Sequence, residues 1–201
     1  DVSSPRMKLL VDPEEVWYQL ALPKDAGHRA EKYFAKMSAE DKVAVRNRAA
    51  TMYAEQTKKH QTFKAMSPAD RKWLETVLRE GTMGDRISAM LVQAQEGPFY
   101  GLEWIVRLLE VASSPTRHES YPALEALRDI FILILPPKST GRSLTPWTAR
   151  PVTDDKELTP AWFLLLAYFE DRLLKVYGDF LKLLEVALHD QVPNGRERAM
   201  R

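Results

Sequence analysis

Residues 80–86, Glu-Gly-Thr-Met-Gly-Asp-Arg, set two glycines three positions apart beside a hydroxyl, a carboxylate and a guanidinium. Such a set could cradle a phosphate or do acid–base work. The two glycine-rich phosphate loops, G-x-x-x-x-G-K-[ST] and G-x-G-x-x-G, follow a strand and have other spacings. The residues before this segment, DRKWLETVLRE, have helical periodicity instead. The stretch therefore reads as a joint between two helices. Gly81 is expected in the left-handed conformation that ends the first, Thr82 and Asp85 cap the second, and Gly84 permits close packing. Arg86 is left over, to pair with a nearby carboxylate or to touch phosphate, the former being preferred.

No other residue set converges on catalysis. His28, His60, His118 and His189 are scattered, with no helical ligand spacing between any two, whereas a metal site needs three or four converging ligands. The chain has no cysteine, which excludes disulfides, thiolate ligands and cysteine nucleophiles and fits a reducing compartment. No G-x-S-x-G elbow is present. Glu14-Glu15 and Asp154-Asp155 lie in polar segments and read as solvated acids. Glu170 and Asp171, inside WFLLLAYFEDRLLKVY, are expected to pair with Arg172 and Lys175 as an ion-paired stripe on one helix. No catalytic, metal-binding or cofactor-binding residue is assigned, and the chain reads as a non-enzyme.

Two stretches have the chemistry of RNA contact, cations with aromatics interleaved. In DKVAVRNRAATMYAEQTKKHQTFK these are Lys42, Arg46, Arg48, Lys58, Lys59 and Lys64, with Tyr53 and Phe63. The second, 136–152, supplies Lys138, Arg142 and Arg150 with Trp147 and no acid. The plain alternative is a solvated helix face and an ordinary insertion loop with Trp147 tucked onto the helices. Net charge is +1, so any attraction for nucleic acid is local.

The elements that position these residues are helical throughout. At 201 residues with 45% hydrophobic and 28% charged content, the chain can bury a sizeable core. Its longest strongly apolar run, FILILPP, falls short of the ~20 residues of a membrane span. Residues 1–27, with prolines at 5, 13 and 23, read as an extended docking arm whose anchors are Trp17 and Tyr18. A long polar helix follows to about 65, with a break and cap near Ser38, and then a connecting helix that opens at Ser67-Pro68 and runs to Glu80. From 81 the pattern is helix, turn, helix, loop, helix, an insertion loop at 136–158, and a long apolar helix opening at Thr159-Pro160. That helix is expected to bury Trp162, Leu165, Leu166, Phe169, Leu173, Val176, Phe180, Leu183 and Leu184. Helix pairs starting near 84 and 121 lie about 37 residues apart, close to the unit of a HEAT-type array. The predicted class is all-α, a HEAT/armadillo-like α-solenoid fragment with an extended amino-terminal arm. Without an initiator methionine, and with GRERAMR opening a further helix after Val192-Pro193-Asn194-Gly195, the 201 residues are expected to be a piece of a longer protein.

Several segments together resemble the CCAAT-binding-factor/nucleolar-complex family: KLLVDPEEVWY (8–18), GTMGDRISAM (81–90), ALEALRDIFILILPP (123–137), the Arg-Pro of TARPV (150–151), AYFEDRLLKVYGDFLKLLE (167–185) and the His-Asp at 189–190. They occur in the family's order and cover most of 8–201. Residues 19–66 carry little of the match. The stretch PKSTGRSLTP departs from the more charged sequence usual there, which weakens carry-over of RNA contacts in this loop. The resemblance implies a helical-repeat scaffold acting in the nucleolus in early assembly of the large ribosomal subunit. Its implied partners are pre-ribosomal RNA, a nucleolar complex protein 2-like protein, and other pre-60S assembly factors and ribosomal proteins, with no membrane. The competing reading is a protein-interaction solenoid without direct RNA contact, its arm docking on a partner or on its own repeats.

Overall fold

The joint at 81–82 is the best place to see how the chain sets its helices. In the computed structural model, which describes residues 9–23, 27–63 and 66–189, Ser67 caps α3 (Pro68–Glu80) by accepting from the Asp70 N–H at 3.1 Å. Thr82 and Asp85 form a reciprocal capping box on α4 (Met83–Gln95), each side chain accepting from the other's backbone N–H at 3.2 Å. Both devices satisfy amides that a helix start leaves without partners. Gly81 is not left-handed as expected: its φ is −68° and its ψ 160°. Glycine is needed there for space, since a Cβ would lie 2.5 Å from the Val77 carbonyl oxygen that caps the turn. Gly84 has open room around it rather than a packed neighbour, with only the Thr82 hydroxyl oxygen 3.9 Å from an added Cβ.

Seven α-helices and three short 3₁₀ turns are found, and no strand occurs among the described residues. The remaining helices are α1 (Gly27–Lys36), α2 (Ala39–Phe63), α5 (Leu102–Ala112), α6 (Arg117–Ile134) and α7 (Ala161–Leu188). The predicted break in the first polar helix falls at Met37-Ser38, where the Ser38 hydroxyl accepts from the Asp41 N–H at 3.0 Å. Helix α6 begins one turn earlier than expected, so Pro122 stands inside it rather than at its start. The segment after Asp190, expected to hold a further helix, lies outside the described residues, as do the first eight residues of the arm.

The chain divides into two compact units. This division differs from the linear one read from the sequence. The first unit joins residues 1–64 to 145–171, and the second joins 65–144 to 172–201. Helix α7 supplies its first eleven residues to one and the rest to the other.

The first unit is built on the start of α7. Phe163, Leu164, Leu165, Leu166, Ala167, Phe169, Glu170 and Asp171 are all buried there, which leaves no polar stripe. A helix apolar on all sides must be surrounded. Helix α2 covers it with Val45, Ala49, Tyr53 and Gln56, spaced 4, 4 and 3 apart on one face. The Tyr53 ring sits 5.5 Å from Tyr168 and 6.5 Å from Phe169, centroid to centroid. Leu164, Leu165, Leu166 and Phe169 are at most 1% exposed, and each such burial contributes about 1.5–3 kcal/mol.

In the second unit α3 packs on α4, α4 on α5, and both α4 and α5 on α6, the helix-on-neighbour packing of a helical-repeat fragment. Ile105, Leu108, Leu127, Ile130 and Ile134 are at most 2% exposed and form its core. Phe131 packs against Tyr177 and Phe180 of α7 at 5.1 and 4.8 Å. Of the residues expected to be buried on α7, Trp162, Leu183 and Leu184 are only half-buried.

Candidate nucleic-acid interface

The cations of α2 do not form one exposed stripe. Because α2 turns the Val45–Gln56 face toward α7, the cations beside that face are drawn into intrachain contacts. Arg46 donates from Nη2 to Asp171 Oδ2 at 2.8 Å, with its guanidinium 5.9 Å from the Tyr168 ring centroid. Lys42 holds its Nζ 4.5 Å from the Phe34 ring centroid, a cation–π contact. Arg48 is half-buried and donates from Nη1 to the Asp154 carbonyl at 3.3 Å. Lys58 and Lys59, a turn and more beyond Tyr53, are exposed.

The loop residues divide in the same way. Arg150 is buried to 12% side-chain exposure and grips Glu170 Oε2 with Nε at 3.2 Å and with Nη2, its guanidinium 5.9 Å from the Phe163 ring. Glu170 itself has no exposed surface. Asp171 also accepts from the Trp147 backbone N–H at 3.1 Å on Oδ1, while Trp147 is 6% exposed. Its two oxygens thus fix the 145–150 segment and α2 separately. In the second unit Lys138 is exposed in a 3₁₀ turn and Arg142 is half-buried.

One expectation is corrected by this geometry. Arg46 and Arg150 are structural counter-ions of buried carboxylates rather than free phosphate contacts, because an acid in an apolar helix must be paired. Glu170 and Asp171 pair with those distant arginines, partners that spacing along α7 does not foretell. Trp17 is 2% exposed, its ring 5.5 Å from Phe169 and from Tyr18, so of the two dockings expected for the arm the one within the chain is present, with Trp17 as an anchor. Leu10 adds a backbone hydrogen bond to Gln56 Oε1 at 3.0 Å. Tyr18 is half-buried. Residue spacing alone does not reveal the ion pairs, yet a signal was there: a helix with no polar face before residue 172 cannot solvate two adjacent acids.

A shallow cavity of about 250 Å³ lies between α1, α2 and the 154 loop, lined by Tyr33, Met37, Asp41, Val45, Arg48 and Asp154. The Tyr33 hydroxyl donates to Asp154 Oδ1 at 3.3 Å. That carboxylate repels the phenolate and raises the Tyr33 pKa, with desolvation and the hydrogen bond adding to it. Among the described residues no three His, Asp or Glu side chains gather as metal ligands, and no helix is long and apolar enough to cross a membrane. Arg86 carries a buried Nε without a hydrogen-bond partner.

The class defined by these features is an all-helical, repeat-like fragment held by buried ion pairs. The chain is 28% identical over 214 residues to Ribosome biogenesis protein NOC1 of Chaetomium thermophilum, covering 96% of this chain and 20% of that protein. It is 25% identical over 204 residues to human CCAAT/enhancer-binding protein zeta, covering 97% and 18%. Protein SLOW WALKER 2 of Arabidopsis thaliana is 28% identical over 134 residues, covering 66% and 12%. No protein-family model matches. These relatives bear out the family resemblance carried by the sequence segments, and the chain spans about a fifth or less of their length.

Proposed function

We propose that this chain is part of a non-enzymatic ribosome assembly factor, a scaffold that binds pre-ribosomal RNA and a nucleolar complex protein 2-like partner during early large-subunit biogenesis. The observation that carries this reading is the match along nearly the whole chain to a relative named as a ribosome biogenesis protein. Packed helices of a repeat-like fragment, which offer surface for such contacts, agree with it. The same reading puts the protein in the nucleolus, among pre-60S factors and ribosomal proteins.

Within it, RNA contact falls to the cations the fold leaves exposed, Lys58 and Lys59 on α2 and Lys138 in the second unit. Each phosphate contact to single-stranded RNA adds about 0.7 to the slope of log K against log salt. Charge reversal at Lys58 and Lys59 should therefore weaken pre-rRNA binding and flatten that slope by about 1.4. Binding of the purified chain to a large-subunit precursor transcript, titrated at several salt concentrations, measures both. An unchanged affinity and slope would remove α2 from the interface.

A second reading, a protein-interaction solenoid without direct RNA contact, is favoured by an open cavity of about 590 Å³ at the α5–α6 turn. Exposed Val186 of α7 lines its wall. RNA crosslinks that never fall within these residues in the assembled complex would favour it.

A further inference from the structure

The sequence holds five Ser/Thr-Pro dipeptides, at 4, 67, 114, 145 and 159. Proline-directed protein kinases read the proline and prefer a basic residue three positions after the hydroxyl. Met7, Asp70, Thr148 and Trp162 stand there for Ser4, Ser67, Thr145 and Thr159, and Arg117 for Ser114. Only the stretch Ser114-Pro115-Thr116-Arg117 meets both requirements.

The fold presents that stretch. Residues 113–116 form the turn between α5 and α6; Ser113, Pro115, Thr116, Arg117 and His118 are exposed and Ser114 is half-buried. A kinase must draw several residues into extended form, and the start of α6 is built to yield. Its N-cap, Thr116, makes no side-chain capping bond, and Pro122 has no N–H to give the His118 carbonyl. The target hydroxyl has a defined role before modification: Ser114 donates to Glu119 Oε2 at 2.8 Å and accepts from the Thr116 N–H at 3.2 Å.

We propose that Ser114 is a phosphorylation site for a proline-directed kinase. The Ser114 Oγ attacks the γ-phosphorus of a nucleoside triphosphate; the Oγ–P bond forms, the bond to the β–γ bridging oxygen breaks, and the hydroxyl proton passes to the kinase. The products are phosphoserine and nucleoside diphosphate. At neutral pH the phosphate brings about −1.5 to −2 charge. It ends the Ser114–Glu119 hydrogen bond, because the donor proton is gone and two anions now face each other. It also stands on the rim of the 590 Å³ cavity, lined by Ser113, Ser114, Leu183, Val186 and His189 among others, and so resets that cavity's charge.

The test is incubation of the purified chain with a proline-directed kinase and magnesium nucleoside triphosphate, with the modified residue mapped by fragment mass spectrometry. Phosphate is expected on Ser114, lost in Ser114→Ala, and incorporated about tenfold more slowly in Arg117→Ala, which lacks one charge-assisted contact. Pro115→Ala keeps the hydroxyl and should also abolish incorporation, with helical circular dichroism showing that each variant folds. Phosphate on Ser67 or Thr145 with none on Ser114 overturns the assignment. So does an intact chain that stays unmodified while a peptide of residues 110–121 is phosphorylated.

Discussion

Replacing Arg150 by methionine leaves the Glu170 carboxylate at the centre of an apolar helix without its guanidinium. Glu170 has no exposed surface and Arg150 only 12%, so solvent does little to screen the loss. Breaking a buried pair from one side costs about 3–5 kcal/mol. In a domain of this size each kcal/mol moves Tm by about 2–4 °C, so the expected fall is about 6–20 °C. Arg46→Met should cost less, about 1–3 kcal/mol, because Arg46 is 34% exposed and Asp171 keeps the Trp147 amide. Thermal and urea unfolding followed by circular dichroism give both values. The double variant Arg150→Met/Glu170→Met should recover most of the loss, since an apolar pair of similar volume replaces a desolvated one. A single variant that loses less than about 1 kcal/mol, or a double variant no better than the single, would refute the reasoning.

Alanine at Gly81 should lower stability by about 1–3 kcal/mol because its Cβ meets the Val77 carbonyl, whereas alanine at Gly84 should raise it by about 0.5–1 kcal/mol in an open helical position; melting temperatures of the two variants must move in opposite directions. Tyr33 should ionise at higher pH than a free tyrosine and return toward the behaviour of a free tyrosine in Asp154→Asn, read by ultraviolet titration against Tyr33→Phe. A phenol whose folded pKa is raised favours the folded state below the unfolded pKa, and this contribution disappears as pH climbs through the folded one. An unshifted Tyr33 titration in Asp154→Asn would reject the carboxylate as the cause.

What could be read along the sequence was what neighbouring residues decide. Ser38, Ser67 and the Thr82–Asp85 pair announced three helix starts because a cap acts within one turn. The apolar period of α7 likewise foretold Leu165, Leu166, Phe169, Leu173, Val176 and Phe180 as buried, but not that its first turns are buried on every side. The ion pairs join residues 20 and 125 positions apart, and no local period encodes them. The basic stretch 42–59 looked uniform in composition, yet the face that meets α7 took Arg46 inward and left Lys58 and Lys59 outside. Gly81 was placed rightly at the joint but for the wrong cause, crowding by a carbonyl rather than a positive φ. Two segments that carried the family resemblance, Arg150-Pro151 and Glu170-Asp171, turn out to hold each other.

The first unit is assembled from two stretches separated by residues 65–144. On a ribosome making about 5–20 residues per second, α2 leaves the exit tunnel roughly 5–20 seconds before residues 145–171 follow it. Through that interval Tyr53 lacks Tyr168 and Phe169, and Arg46 lacks Asp171. The second unit's α3 to α6 can meanwhile form from local contacts, which fold fast. The last part of the first unit to appear, the doubly acidic centre of α7, is thus the event that closes it. A truncated nascent chain ending before residue 161 should be protease-sensitive across residues 28–63 while its middle helices are already protected.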